Sequence, residues 1–487
     1  MKNPHCSKYF HLLIILILLP LQSFADNNAA IDSSTAKYRA EQWVAMLNNQ
    51  LPIEQLTRDN FSKRFNDRSP PARIKMIFSL FKDFYKNKPA ILEEVEQNQN
   101  AVIVRLSNFE NKWAEYELMY ELNDDKLMLG GFNAKILGYR AKDDWKGLTE
   151  TALLSKTKLL LSELHKTKDF SGSVLIAKNN QVILDQNFGY ADLEESNKIV
   201  SDTPFPIASV TKSITALAVA ILVADKKLDL DATIGHYLPN LPNEQIRFKV
   251  TPRQLLMHTS GMESILFIDD QAKVAKDASL QETVLEIAGR ALVDDPGVNF
   301  RYSNGGPFIL AMLIEKISGI SYECFIKKYI FKIANMTNSG FLYHGNYPNK
   351  VAVGSFDDHD SNHMQSSKEL FDYPLMPGGS MYSSASDMLK LSNGLFHTKL
   401  FGDSVVEILS SSKVKMSKNR DYQLGLMERI YDGNSVLGHT GDLPGISAQW
   451  WHLGSSGYDL IVLSNKQSFA ADIADRLLVA LSSSQSE

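Results

Sequence analysis

Cysteine is nearly absent from this chain. Of two in 487 residues, Cys6 lies ahead of the first apolar run and Cys324 stands alone. A chain that loses its first residues to processing can then form no internal disulfide, so its stability must come from packed cores. Long apolar runs are also lacking. Leu12–Leu21 is too short for a comfortable bilayer span, and no later stretch approaches the length a membrane helix needs. Neither sign of charge dominates: 51 basic against 56 acidic residues give −5, which points to neither nucleic acid nor an anionic membrane as partner. Internal repeats and low-complexity segments are missing as well.

The N-terminus has the form of an export signal. Lys2 and Lys8 precede the apolar run, and Ser23-Phe24-Ala25 offers small residues for cleavage before Asp26. Removing residues 1–25 takes away those two lysines and no acid, so the charge goes from −5 to −7. Cys6 precedes the apolar run instead of ending it, which argues against a lipid-anchored cysteine. The expected location is periplasmic or extracellular.

With 44% apolar and 22% charged residues, the chain is globular and long enough for two or three domains. Residues 26–148 read as a small α+β unit. Tyr38, Trp43, Val44 and Leu47 recur at helix spacing, and so do Ile74, Ile77, Phe78, Phe81 and Phe84 after Pro70-Pro71. The period then changes to two in Val102/Val104/Leu106 and Ala114/Tyr116/Leu118/Tyr120/Leu122, with a turn at Asn123-Asp124-Asp125-Lys126. This order of helices followed by a meander resembles the cone-shaped NTF2-like domains. Residues 149–487 form the second unit. A helix from Ala152 to His165 precedes strands at Ser173–Ala177 and Gln181–Phe188. A helical middle follows, and strands return at Gly445–Trp451 and Tyr458–Ser464 before a helix at Ala470–Ser482. The two ends are expected to share one sheet, with a helical lobe inserted between them.

Three stretches carry chemistry. In Pro204-Phe205-Pro206-Ile207-Ala208-Ser209-Val210-Thr211-Lys212, followed by an apolar run to Val223, a turn delivers Ser209 to the start of a buried helix. Lys212 shares its face. A serine hydroxyl needs a base to become a nucleophile, and an amine whose pKa is depressed by an apolar helix is such a base. S-x-x-K alone is weak, since it recurs at Ser155/Lys158, Ser410/Lys413 and Ser412/Lys415, and the alternative for Ser209 is a helix cap. The second stretch is Pro296-Gly297-Val298-Asn299-Phe300-Arg301-Tyr302-Ser303-Asn304. Here Tyr302, its phenol pKa lowered beside a cationic lysine, can act as base and then acid. Asn304 can hydrogen-bond both Lys212 and a substrate carbonyl. The third is Gly438-His439-Thr440-Gly441-Asp442, where Gly441 lets an extended substrate approach a strand edge and His439 supplies a polar or cationic group. Taken singly, the last two also read as a buried tyrosine and a turn histidine.

In this order and spacing the three resemble the serine β-lactamase and penicillin-binding superfamily, with S-x-x-K, Y-x-N and H-T-G. The branch is that of class C β-lactamases, D-alanyl-D-alanine carboxypeptidases and β-lactamase-like esterases. Leu255-Leu256-Met257-His258-Thr259-Ser260-Gly261, Pro377-Gly378-Gly379-Ser380-Met381-Tyr382-Ser383-Ser384 and Leu443-Pro444-Gly445 fit it too. The resemblance covers about residues 165–483. It implies an α+β fold, with an antiparallel sheet, terminal helices and an inserted helical lobe. By it Ser209 is the acylated nucleophile, Lys212 its proton partner and Tyr302 the base. Asn304, His439, Thr440 and Gly441 bind substrate, and the backbone N–H groups of Ser209 and Asp442 form the oxyanion hole. No cofactor is implied. The departure is His439 where β-lactamases carry lysine. Histidine is mostly neutral near pH 7, so its charge is expected to act only below about pH 6.5.

The implied activity is hydrolysis of a small-molecule or peptide ester or amide. The alternatives are a D-amino-acid or cell-wall peptide peptidase, a β-lactamase, and a non-catalytic wall-peptide binder. Asp357-Asp358-His359-Asp360-Ser361-Asn362-His363 has H-x-x-x-H spacing, but without an apolar face to fix a helix it reads as a solvated loop, not a metal site. His258 reads as a structural loop residue. The exported chain is expected to start near Asp26, and N-terminal sequencing of the secreted protein checks it: Met1 retained there contradicts the signal.

Overall fold

The structure is a computed structural model. It describes residues 31–48, 50, 55, 61–63, 89–98, 101–107, 112–123, 126–139, 145–166, 170–262, 274–358, 363–417, 420–431, 433–466 and 469–484. The export signal and the expected helix around Ile74–Phe84 lie outside these. The chain divides into two compact units between residues 142 and 143, a few residues before the expected boundary at 148.

In the first unit, helix α1 (Ser33–Leu47) starts at Asp32, whose carboxylate accepts the Thr35 N–H at 2.8 Å, a cap that satisfies one of the free donors of the first turn. Four strands follow: β1 (Ile91–Asn98), β2 (Ala101–Ser107), β3 (Lys112–Asn123) and β4 (Lys126–Tyr139). They pair antiparallel in chain order, and Asn123 stands opposite Lys126. Ala36, Ala40, Trp43 and Met46 of α1 pack with Val102, Val104, Tyr116 and Leu118. The expected α+β meander is present. Nothing in these elements adds support for NTF2 likeness beyond that order.

The second unit opens with α2 (Glu150–Lys166), then β5 (Gly172–Lys178) and β6 (Gln181–Phe188). Short strands follow at β7 (Phe205–Pro206), β8 (Gly340–Phe341), β9 (Ser355–Asp358), β10 (His363–Ser366) and β11 (Met381–Ser383). The C-terminal strands are β12 (Val414–Ser417), β13 (Arg420–Tyr422), β14 (Met427–Tyr431), β15 (Asn434–Leu443), β16 (Ile446–Leu453) and β17 (Tyr458–Ser464). One antiparallel sheet runs β12-β13-β14-β15-β16-β17-β5-β6. The two ends of the unit therefore meet at the β17–β5 pair, as expected. The buried strands β5, β16 and β17 have both faces covered, which is why they read as near-continuous apolar runs.

Between β6 and β12 lies the helical lobe. Its axis is α3 (Thr211–Ala224), on which Thr211 to Ala220 are all buried. A helix apolar on every side belongs in a core, and each fully buried Leu or Ile there contributes about 1.5–3 kcal/mol. Beside it runs α4 (Gly306–Ser318), with Pro307 in its first turn, where the missing N–H costs nothing. Later come α5 (Ala385–Ser392) and α6 (Phe469–Ser483). The Asp357–His363 stretch differs from its expectation. His363 stands opposite Asp358 in an antiparallel pair, so its ends are strand residues instead of loop. His359 lies outside the described residues.

A chain shortened to begin at Asp143 is expected to fold alone, since each unit has its own core. A single cooperative thermal transition by circular dichroism checks this; an insoluble or non-cooperative product contradicts it.

Candidate active site

Ser209 sits in a 3₁₀ turn, Ala208–Val210, immediately before α3. Ala208 has φ +45, a left-handed conformation that a non-glycine residue adopts only where its surroundings hold it. Those surroundings are a small sheet absent from the sequence reading, β7-β11-β8. Tyr382 and Ser383 of β11 pair with Pro206 and Phe205, and the Ile207 N–H donates to the Met381 carbonyl at 2.9 Å. The residues just before β11 also reach α3. Thr215 donates to the Pro377 carbonyl at 2.7 Å, and the Met381 N–H donates to the Thr211 hydroxyl at 3.2 Å.

Lys212 is 3% exposed. Its Nζ donates to Ser209 Oγ at 3.0 Å and to the Gly378 carbonyl at 2.7 Å. Burial pulls its pKa down to about 7, so near neutral pH much of it is free amine beside the serine hydroxyl. Gly378 was quoted in the sequence only as part of a resembling stretch; its carbonyl proves to be what orients the amine.

Tyr302 is brought to the same place. Lys212 Nζ lies 4.9 Å from its ring centroid, and its side chain hydrogen-bonds Ser209. The expected lowering of its pKa does not occur. Burial pushes the phenol well above its ordinary value, and the Ser209 bond offsets only part of that, while the Asp442 charge adds to it. Its proton therefore stays on. Asn304 follows two residues later on the same loop, partly buried.

β15 closes the site. Gly441 packs directly under Ser209: a Cβ there would lie 2.1 Å from the Ile207 carbonyl oxygen and 3.0 Å from the Ser209 nitrogen. Only glycine allows the strand that approach. β14 pairs with β15 from Asn434 only as far as Gly438, opposite Met427. The edge from His439 to Leu443 thus has no partner strand on that side among the described residues. Thr440 is half-buried, its hydroxyl 3.9 Å from the Met427 sulfur. Asp442 accepts a hydrogen bond from the Ser447 hydroxyl at 2.6 Å, and burial outweighs it, pushing the carboxyl up to about 6.

His439 departs from expectation. It is fully buried, not displayed on the edge. Its Nδ1 lies 2.6 Å from the Thr440 carbonyl, which only accepts, so Nδ1 carries the proton and Nε2 accepts from the Tyr422 hydroxyl at 3.0 Å. Burial, reinforced by Lys212, lowers its pKa to about 3. The ring therefore stays neutral well below pH 6.5, and the charge expected there does not develop. Tyr422 gave no sequence signal. It is placed by the turn after β13, where the Gly425 carbonyl accepts from Ser213 at 2.8 Å, and it is ringed by His258, Phe300, Tyr302 and His439.

One cluster elsewhere in the unit has metal-ligating character. His397, His452 and Asp459 bring their ligand atoms within 4.8 Å of one another. The Asp459 carboxylate already takes His397 Nε2 at 2.8 Å, His452 Nδ1 at 2.9 Å and the Ser392 hydroxyl, so three of its roughly four lone-pair sites are taken within the protein.

No helix among the described residues is long and apolar enough to cross a membrane. A family model described as Beta-lactamase matches residues 160–483. Penicillin-binding protein 4* of Bacillus subtilis is 26% identical over 324 residues, 63% of this chain and 71% of that protein. A penicillin-binding protein from Bacillus halodurans superposes with a TM-score of 0.59 at 25% identity, over 65% of this chain and 98% of its own. A D-amino acid amidase from Ochrobactrum anthropi SV3 shares the fold, with a TM-score of 0.58 at 22% identity over 68% and 98%. The front unit lies outside the family match. Since that match takes in most of the chain, together with the helix that carries Ser209 and the strand that carries Gly441, the protein belongs to the β-lactamase family, within the superfamily of serine β-lactamases and penicillin-binding proteins.

Proposed function

We propose that the protein is an exported serine hydrolase that cleaves an ester or amide through an acyl-enzyme on Ser209. The observation that carries this is the buried Lys212 amine, 3.0 Å from Ser209 Oγ, with a pKa brought near neutrality. The free amine takes the proton of Ser209 as Oγ attacks the substrate carbonyl. The backbone N–H groups of Ser209 and Asp442 receive the oxyanion. Tyr302, still protonated, gives its proton to the leaving alcohol or amine and recovers one from the Lys212 ammonium. Water then repeats the sequence on the acyl-enzyme. Lys212 is thus the base and Tyr302 the relaying acid, a reversal of the roles first expected. The unpaired edge of β15 from Thr440 to Leu443 suits an extended acyl or peptide group. Neutral His439 supplies no fixed cation for a substrate carboxylate, which favours uncharged esters and amides over β-lactams.

Ser209→Ala is expected to lower turnover by about four to six orders of magnitude and to abolish labelling by a fluorophosphonate. Panels of esters, D-alanyl peptides and β-lactams identify the substrate class, and intact labelling of the variant moves the nucleophile elsewhere.

The pH dependence has a definite sign. Below about pH 7 Lys212 is an ammonium and cannot accept a proton; above it, the amine can. kcat/KM is expected to rise with pH with a midpoint near 7, and Lys212→Ala to remove this limb with a loss of roughly 100- to 10,000-fold. A profile flat from pH 5.5 to 8 contradicts Lys212 as base.

A further inference from the structure

We propose that His258 is a positioning residue of this hydrolytic site, holding the Tyr302–Asn304 loop so that Tyr302 keeps its place against Lys212. The inference rests on the Ser209 acyl-enzyme reading and extends it to a residue that the sequence presents only as part of a loop.

The short helix Pro252–Leu256 is opened by a capping box of Thr251 and Gln254 and stops at Met257. His258 then takes a left-handed backbone, φ +56, and two bonds tie it to the Tyr302 loop. The Arg301 N–H donates to its carbonyl at 2.6 Å, and the Ser303 N–H donates to its Nδ1 at 3.2 Å. Residues 301 and 303 flank Tyr302, so both neighbours of the tyrosine are fixed by one residue. The ring completes the hold: its centroid lies 4.3 Å from that of Tyr302 and 4.7 Å from that of Tyr422.

A purely structural residue here would be cheaper. A backbone N–H only donates, so Nδ1 must offer its lone pair and Nε2 must carry the proton. Nε2 is buried without a hydrogen-bond partner among the described residues, in a residue 2% exposed. An apolar ring would fill the space without that unpaired donor. What only an uncharged imidazole supplies together is an acceptor for the Ser303 N–H and a flat face for Tyr302. Burial first, then Lys212 and His439, keep this ring far below its ordinary pKa. It therefore adds no cation beside the amine that must lose its own.

The test uses two variants in the full chain, a chromogenic ester and the pH profile. His258→Phe keeps a ring and removes the acceptor. His258→Asn keeps an acceptor, tolerates the left-handed backbone, and removes the ring. Lys212 is faced by Ser209, the Gly378 carbonyl and the Tyr302 ring. His258 and His439 feel its charge, and Asp442 acts on Tyr302. Of these, only His258 changes. His258→Phe is expected to lower kcat about 100-fold, the scale of an ångström-sized misplacement, with KM changed by less than about threefold. His258→Asn is expected to keep kcat within about tenfold of wild type. Its rising limb of kcat/KM should move to higher pH, because water admitted beside Lys212 relieves the desolvation that lowers its pKa.

Wild-type kcat in a folded His258→Phe protein overturns the proposal. So does a loss in both variants that merely follows the unfolded fraction seen in thermal melts, with the limb unmoved. If His258→Phe does not fold, the position of the limb in His258→Asn decides. Fluorophosphonate labelling of the wild type runs alongside: no labelling removes the Ser209 reading itself, whereas a labelled wild type with indifferent variants removes only the role of His258.

Discussion

A lysine amine taken out of water, with no carboxylate among the described residues paired to it, is the constraint on which this site depends. Lys212 has a hydroxyl, a carbonyl and an aromatic ring for company, and burial alone accounts for its lowered pKa. Bringing it from 10.5 to about 7 corresponds to roughly 5 kcal/mol of disfavour for the charged form. Between these two values the unfolded chain holds a proton that the folded one has released. The site therefore subtracts stability at and below pH 7, and the deficit fades as pH rises toward 10.5. The apolar cluster around α3 must offset it, and that cluster extends through most of the helical lobe.

The same burial sets the character of each neighbour. Tyr302 keeps its proton, while His439 and His258 stay neutral. Around one amine of adjustable charge the protein has assembled polar groups whose charge is fixed at zero. Such an arrangement suits the transfer of a proton between nitrogen and oxygen, since these groups do not titrate in competition with Lys212. Asp442, with its carboxyl pushed up to about 6, is the exception, and it stands on the strand, not on the helix.

Much of this was legible in the chain. Ser209 and Lys212 share a face because a spacing of three is one helical turn, which here runs from the 3₁₀ turn into α3. The buried strands and α3 declared themselves by unbroken apolar runs, and β5–β6 and β16–β17 by turn residues between them. The local signals failed where distant backbone meets. Nothing in Pro377-Gly378-Gly379-Ser380 states that a carbonyl from this turn will meet Lys212, since the two are brought together by the β7–β11 pairing. Nor does Arg420-Asp421-Tyr422 announce that Tyr422 will take up the one acceptor of His439.

The sequence by itself determined the long helices and strands, their order, and which residue types could perform acyl transfer, because these follow from periodicity and from the chemistry of side chains. Only the tertiary structure decided the protonation states and hence the roles. A pKa depends on the water a group has lost and on the charges left beside it, and both are set by residues far away in the chain. His439 shows this most plainly. Its place in H-T-G suggested an exposed, titrating edge residue, and the packing of β13 and α3 against β15 made it a buried, neutral one.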